Sequence, residues 1–256
     1  MKENTLKTRL DAGETALGPF VGFPSPAMVE MMGWLGFDFV IIDCEHGPAD
    51  YETAEHMIRA AEVAEVTPIL RIGLNAQQHI QRYLDSGASG VLIPLVNTAA
   101  EATDVVNSVK YPPMGKRGMF GNRPTRYGSM DVGEYLERAN EQTFVAVQIE
   151  TVEGIANQAE IAAVDGLDAV FIGPGDLAVQ LGVPGQQMHP KVLEAAGQLV
   201  RTIRDAGKHA GTLGVTLEQT RYWHERGVRW LVSSGPRHLQ NGARGYLEEI
   251  RGSLGL

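Results

Sequence analysis

Short, strongly apolar runs recur along this chain, each followed by a stretch with helical periodicity, and that alternation limits the fold more than any other feature. The runs fall at 17–23, 37–43, 67–72, 90–94, 143–149, 169–173, 209–213 and 229–233. Helical patterns occupy 26–35, 51–65, 77–86, 99–109, 152–163, 191–206 and 217–226. Strands buried on both faces read as unbroken apolar runs, as in Phe39-Val40-Ile41-Ile42 and Ala169-Val170-Phe171-Ile172. Eight β/α units within 256 residues predict an α/β fold of the TIM (β/α)8 barrel type, with a doubly wound open sheet as the alternative on pattern alone. No linker or low-complexity tract divides the chain, so residues 1–256 are read as one barrel domain. Two segments break the rhythm. Residues 111–127 carry P-P, G-K-R-G and N-R-P and predict a long loop of the kind that serves function or an interface; residues 182–190 are a second irregular stretch.

Charge and composition narrow the partners. A net charge of −9 argues against nucleic acid or an anionic membrane as a partner. No apolar run approaches the roughly 20 residues that span a bilayer. The first ten residues, M-K-E-N-T-L-K-T-R-L, lack the apolar centre of a leader, and the single cysteine, Cys44, suits a reducing compartment. A cytoplasmic location is therefore expected.

In a barrel of this type the active site lies at the C-terminal ends of the strands. The second predicted strand ends in Asp43-Cys44-Glu45-His46, the third near Arg71, the fifth in Gln148 and Glu150, and the sixth in Gly173-Pro174-Gly175-Asp176. Glu150 and Asp176 offer two hard oxygen ligands from adjacent strand ends, a pattern that suits Mg2+, with Mn2+ or Co2+ able to substitute. Each could instead cap the helix that follows it. The Gly173–Asp176 turn could hold an anion on its backbone N–H groups or be an ordinary βα turn. Arg71 could stabilise an enolate oxygen or form a structural ion pair. His46 is the only histidine at a strand end and is a candidate general base. His56, His79, His189, His209, His224 and His238 fall in helical or loop patterns and read as surface or packing residues. Asp85 reads as a helix-end or turn residue. Alternation turns Cys44 away from Asp43, so it is not expected to act as a nucleophile. The lysines are Lys2, Lys7, Lys110, Lys116, Lys191 and Lys208, and none closes a predicted strand, which argues against imine chemistry.

D-C-E-H-G-P at 43–48, the strand with Arg71, L-D-S-G-A-S-G-V at 84–91, Y-P-P-M-G-K-R-G at 111–118, V-Q-I-E-T at 147–151 and F-I-G-P-G-D-L at 171–177 stand in one order. Together they resemble the HpcH/HpaI aldolase family, over roughly residues 5–240. The resemblance implies a barrel of the phosphoenolpyruvate/pyruvate type and a class II pyruvate aldolase. Such an enzyme cleaves 4-hydroxy-2-oxoacids reversibly to pyruvate and an aldehyde through a pyruvate enolate. By the same resemblance His46 is the base, Arg71 stabilises the enolate, and Glu150 and Asp176 hold a divalent metal. Gln148 contacts substrate, and the backbone of Gly175 and Asp176 receives the pyruvate carboxylate. Asp85 raises the basicity of the histidine, with Asp43 close to it. The resemblance also implies a homohexamer, a trimer of dimers with exchanged C-terminal helices.

Three departures bear on substrate identity: Gly175 where many relatives have alanine, Val232-Ser233-Ser234-Gly235-Pro236 where an acidic segment is common, and Gly22-Phe23-Pro24-Ser25-Pro26 in place of a tryptophan-containing version. A lyase or decarboxylase acting on oxaloacetate-like or acyl-CoA substrates is the second reading, against which the short segment after the last strand counts. A metabolite-binding barrel without catalysis is the third, and the presence of the base and both ligands weighs against it.

Overall fold

A computed structural model describes residues 3–256. Its strands are β1 (Ala16–Val21), β2 (Phe39–Asp43), β3 (Thr67–Arg71), β4 (Gly90–Ile93), β5 (Phe144–Ile149), β6 (Ala169–Ile172), β7 (His209–Leu213) and β8 (Trp230–Ser234). They pair in parallel in chain order, and β1 also pairs with β8, closing a TIM (β/α)8 barrel and excluding the open sheet. The helices are α1 (Thr5–Asp11), α2 (Pro26–Trp34), α3 (Tyr51–Val63), α4 (Gln77–Asp85), α5 (Ala99–Val109), α6 (Val132–Gln142), α7 (Val152–Ala156), α8 (Gln158–Ala162), α9 (Pro174–Gln180), α10 (Pro190–Asp205), α11 (Leu217–Glu225) and α12 (Gly235–Leu254). No helix among the described residues is long and apolar enough to cross a membrane.

Side-chain alternation divides the core in two. Val40, Ile42, Leu70, Val91, Val145, Val147, Val170 and Ile172 face the surrounding helices. The intervening residues Phe20, Phe39, Ile41, Ile69, Leu92, Phe144, Phe171 and Trp230 fill the lumen. Trp230 is the hub, with ring centroids 5.1 Å from Phe144 and 5.3 Å from Phe171 in edge-to-face geometry. Glycine makes this possible. A Cβ on Gly90 would lie 2.7 Å from Phe144 Cβ, and one on Gly211 would lie 2.9 Å from Trp230 Cδ2. The lumen is therefore a packed core with no channel through it.

Two helices escaped the sequence reading. Helix α1 closes the N-terminal mouth: Leu6 and Leu10 join the lumen cluster. Its polar residues tie down the starts of several strands, with Asn4 Nδ2 donating to the carbonyls of Ser89 and Gln142 at 2.9 Å. Thr5 bonds Thr67, Lys7 pairs with Asp168, and Asp11 pairs with His209. Helix α6 follows the irregular segment and buries only Tyr135 and Ala139. That segment contains a short 3-10 turn at Arg123–Thr125 and is pinned by Arg117 and Arg123, which bond Asp85 and Glu62 respectively. The 182–190 stretch is irregular, as read from the sequence.

Candidate active site

The alternation that fills the lumen also delivers the polar residues. Two positions beyond Ile41 is Asp43, two beyond Ile69 is Arg71, and two beyond Ala146 is Gln148, so these continue the inward faces of their strands to the C-terminal mouth. Asp43 and Arg71 are register partners. One residue past the Ile149–Ile172 pair stand Glu150 and Gly173.

Arg71 is held in a bidentate pair, Nε to Asp43 Oδ1 at 2.9 Å and Nη2 to Asp43 Oδ2 at 2.6 Å. Its guanidinium lies 4.4 Å from the Phe20 ring centroid. The structural ion pair and the functional reading are thus compatible: Asp43 engages Nε and Nη2, and among the described residues nothing bonds Nη1. Asp43 Oδ1 also accepts from the backbone N–H groups of Glu45 and His46, both at 3.2 Å, which folds the segment after β2 back over the mouth. The His46 ring is 67% exposed, and Glu45 Oε2 lies 3.7 Å from its Nε2. The same oxygen is 3.3 Å from Arg71 Nε. Glu45, which the sequence places at this strand end without a role, thus lies between Arg71 and His46.

Neither metal candidate is a helix cap. Thr151 caps α7 through Gly154, and Gly173 is the residue preceding α9, where Asp176 is exposed in the first turn. Glu150 is 3% exposed. Its Oε1 accepts from Leu95 N–H at 3.1 Å and its Oε2 from Gln148 Nε2. Burial pushes the Glu150 carboxyl up to about 7 against those two hydrogen bonds, and the carboxylates of Asp176 and Glu45 push the same way. Glu45 is raised chiefly by burial, opposed by Arg71. Gln148 Oε1 is buried with no hydrogen-bond partner. A buried carboxylate, two further carboxylates acting on it and an orphaned amide oxygen form a hard-oxygen donor set that fits a divalent cation. Among the described residues no group of three or more His, Cys, Asp or Glu could cage an ion alone.

Gly173 has to be glycine. A Cβ there would sit 2.8 Å from Glu150 Cβ and 3.0 Å from Gln148 Nε2, with Glu150 Oε2 closer still. Pro174 opens α9. Gly175 is different, because a Cβ would meet only Gln187 Nε2, at 3.6 Å, so the alanine of many relatives would fit.

Asp85 is not brought to this mouth within one chain. It ends α4, which returns to the start of β4, and it bonds Arg117 at 2.8 Å. It lines an outer cavity of about 690 Å³ with Tyr51, Arg59, Arg123 and Tyr127, to which no mouth residue contributes. Cys44 packs against the helix-side core, and burial raises its thiol to about 12. Lys110 is a desolvated lysine, lowered by burial to about 8. It donates to the carbonyls of Asn140 and Thr143, just before β5 and away from the catalytic end. Lys7 and Lys208 are also engaged at strand starts, and Lys2 lies outside the described residues.

Residues 17–229 match the family model described as HpcH/HpaI aldolase/citrate lyase. The chain is 40% identical to hydroxypyruvate/pyruvate aldolase of Sagittula stellata over 83% of its own length and 84% of the relative's. It is 36% identical to 4-hydroxy-2-oxo-heptane-1,7-dioate aldolase of Shigella sonnei, covering 90% and 88%. Among solved structures, an HpcH/HpaI aldolase/citrate lyase family protein from Burkholderia cenocepacia superposes with a TM-score of 0.92 at 32% identity, covering 97% and 99%.

Proposed function

The chain belongs to the HpcH/HpaI aldolase/citrate lyase family, and from that premise we propose that it is a divalent-metal-dependent pyruvate aldolase, with the mouth around Glu150, Asp176, Arg71 and His46 as its active site. In the cleavage direction a 4-hydroxy-2-oxoacid gives pyruvate and an aldehyde. The observation that carries the reading is the Arg71 guanidinium, fixed by Asp43 and Phe20 at the same mouth as a buried carboxylate that fits a cation.

A divalent cation held by Glu150 and Asp176, Mg2+ first with Mn2+ or Co2+ as substitutes, would supply positive charge for the carboxylate and keto oxygen of pyruvate. Arg71 presents its guanidinium to the keto oxygen as it becomes enolate. Because Asp43 and the Phe20 ring already hold the guanidinium, little reorganisation accompanies the reaction. Gln148 Oε1, which has no partner, would accept from the hydroxyl of the hydroxy-oxoacid. The first turn of α9 lacks a side-chain cap, so the N–H groups of Gly175 and Asp176 are available to the pyruvate carboxylate. His46, exposed at the rim, moves the proton at pyruvate C3 or at the aldol hydroxyl.

The assembly we propose is a homohexamer built from dimers. Helix α12 is exposed from Arg237 onward, with Leu239, Tyr246, Leu247, Ile250 and Leu254 forming an unpartnered apolar stripe. Exposed Phe120 and Tyr127 on the 111–127 loop offer a second contact. Asp85 could act on a histidine only across such an interface.

Deuterium exchange at C3 of pyruvate, followed by NMR with no aldehyde present, tests the assignment. Arg71→Ala should slow exchange and Arg71→Lys restore little of it. His46→Ala should lower aldol turnover on the order of 10²–10⁴-fold. Arg71→Ala exchanging at the wild-type rate would remove Arg71 from the mechanism. Pyruvate release from a panel of 4-hydroxy-2-oxoacids should stop in EDTA, and persistence there would refute the metal.

A further inference from the structure

Among the described non-glycine residues with left-handed backbone, Leu95 is the one at the catalytic mouth. Its φ is 55°, while Glu65, Arg126 and Tyr127 adopt that conformation in the turn after α3 and on the 111–127 loop. An L side chain there crowds its own carbonyl oxygen, so the surrounding contacts must enforce it. What the conformation gains is the direction of an N–H group. Leu95 donates to Glu150 Oε1 at 3.1 Å, and the next residue, Val96, donates to the Gln148 carbonyl at 3.2 Å. Two consecutive amides after β4 thus hold the end of β5, one through a side chain and one through the backbone.

Asn97 is the residue placed to enforce it. Its Nδ2 donates to the Leu95 carbonyl at 3.1 Å, and its Oδ1 accepts from the Thr151 hydroxyl. Thr151 directly follows Glu150, and its oxygen also accepts from Gly154 N–H at 2.9 Å to cap α7. A ring of bonds therefore closes around Glu150. It runs from Leu95 N–H to the carboxylate, along the chain to Thr151, across to the Asn97 amide and back to the Leu95 carbonyl. Asn97 is itself anchored at both ends: its N–H donates to Glu101 Oε2 at 2.7 Å, and its carbonyl accepts from Asn157 Nδ2 at 2.7 Å. An asparagine brings a donor and an acceptor to these two partners at one reach, whereas aspartate has the shape without the donor.

We propose that Asn97 is the positioning residue for Glu150: it keeps Leu95 left-handed, so that the carboxylate is held at the mouth before a cation arrives. The inference rests on the reading of Glu150 as a ligand to a divalent cation. A ligand whose orientation is fixed by its hydrogen-bonded surroundings has less freedom to lose when the ion binds.

Two measurements on the full-length protein test it together. One is calorimetric Mg2+ titration after EDTA treatment. The other is the 1H–15N spectrum of metal-free protein labelled on leucine, at mildly alkaline pH, with the Leu95 signal assigned by its loss in Leu95→Gly. Asn97→Ala should weaken Mg2+ binding about 10- to 100-fold, the usual range for a group that orients a metal ligand. In the same variant the Leu95 amide proton should move upfield and exchange faster with solvent, as its bond to the carboxylate loosens. Asn97→Asp should act in the same direction despite its similar shape, and it carries every arm should Asn97→Ala not fold. Glycine adopts left-handed backbone without strain, so in a Leu95→Gly background the further loss from Asn97→Ala should largely vanish. An undiminished loss in that background, or a wild-type Leu95 amide in Asn97→Ala, would overturn the proposal. Mg2+ affinity unaffected by Glu150→Gln would instead refute the metal reading, and the Leu95 amide would still decide whether Asn97 holds this segment.

Discussion

The two glycines flanking Pro174 should respond oppositely to the same methyl group. At Gly173 the new Cβ would lie 2.8 Å from Glu150 Cβ and 3.0 Å from Gln148 Nε2. Glu150 cannot retreat freely, because its Oε1 is held by Leu95 N–H at 3.1 Å and its Oε2 by Gln148. Forcing a methyl into a packed site costs about 1–3 kcal/mol. For a chain of this size that corresponds to roughly 2–4 °C in Tm per kcal/mol, so Gly173→Ala should melt several degrees lower. The displaced carboxylate is a proposed metal ligand, so Mg2+ affinity should fall as well. At Gly175, in the first turn of α9, the nearest atom is Gln187 Nε2 at an ordinary 3.6 Å. There alanine removes backbone freedom from a helical position and should stabilise by about 0.5–1 kcal/mol, with metal affinity unchanged. Thermal and urea denaturation with calorimetric Mg2+ titration read both effects. Wild-type Tm and affinity in Gly173→Ala, or equal damage from Gly175→Ala, would refute the steric argument.

Three further outcomes follow from the site and its surroundings. Burial raises the Glu150 carboxyl from the ordinary 4.5 to about 7, so the folded chain binds this proton more tightly than the unfolded chain does. Metal-free protein should therefore lose stability as pH rises from about 4.5 to about 7, and EDTA should lower Tm more at pH 8 than at pH 5; a difference of the opposite sign would contradict the buried-carboxylate assignment. Pyruvate with borohydride should leave the protein mass unchanged, because Lys110, the desolvated lysine, is bonded to two carbonyls at the start of β5; a lysine adduct would overturn the class II reading. Replacing Leu247 and Ile250 with glutamate should reduce the mass seen by light scattering while the circular dichroism of the barrel is retained, and an unchanged mass would exclude α12 as the assembly element.

The barrel was legible because lumen and helix-side positions are both apolar, which gives parallel strands an unbroken signature that turns and amphipathic helices interrupt. Strand ends carried the reading to Asp43, Arg71 and Gln148, and the period of two accounts for their inward direction. Helix α1 escaped it because seven residues with only Leu6 and Leu10 buried resemble a polar tail; Asn4 as N-cap and the i,i+4 leucine spacing were the available signal. Helix α6 buries two residues and follows a loop rich in turn signals, so its periodicity was too faint to separate from its surroundings. Glu45 was legible as a strand-end residue and Asp85 as a helix end. What each side chain meets was not, because that depends on how Asp43 folds the segment after β2 and on the direction in which α4 returns, neither of which local sequence states.

The aromatic plug around Trp230 has a kinetic consequence. With Phe39, Phe144 and Phe171 closing the lumen beneath the site, the mouth is the sole route in and out. Under the proposed reaction, pyruvate sits lower, against Glu150 and Arg71, and the aldehyde lies above it. Queueing then sets the order of events: in synthesis pyruvate enters before the aldehyde, and in cleavage the aldehyde departs before pyruvate. Pyruvate as product should consequently compete with the hydroxy-oxoacid for free enzyme, while an inert aldehyde analogue should bind well only when pyruvate is already seated.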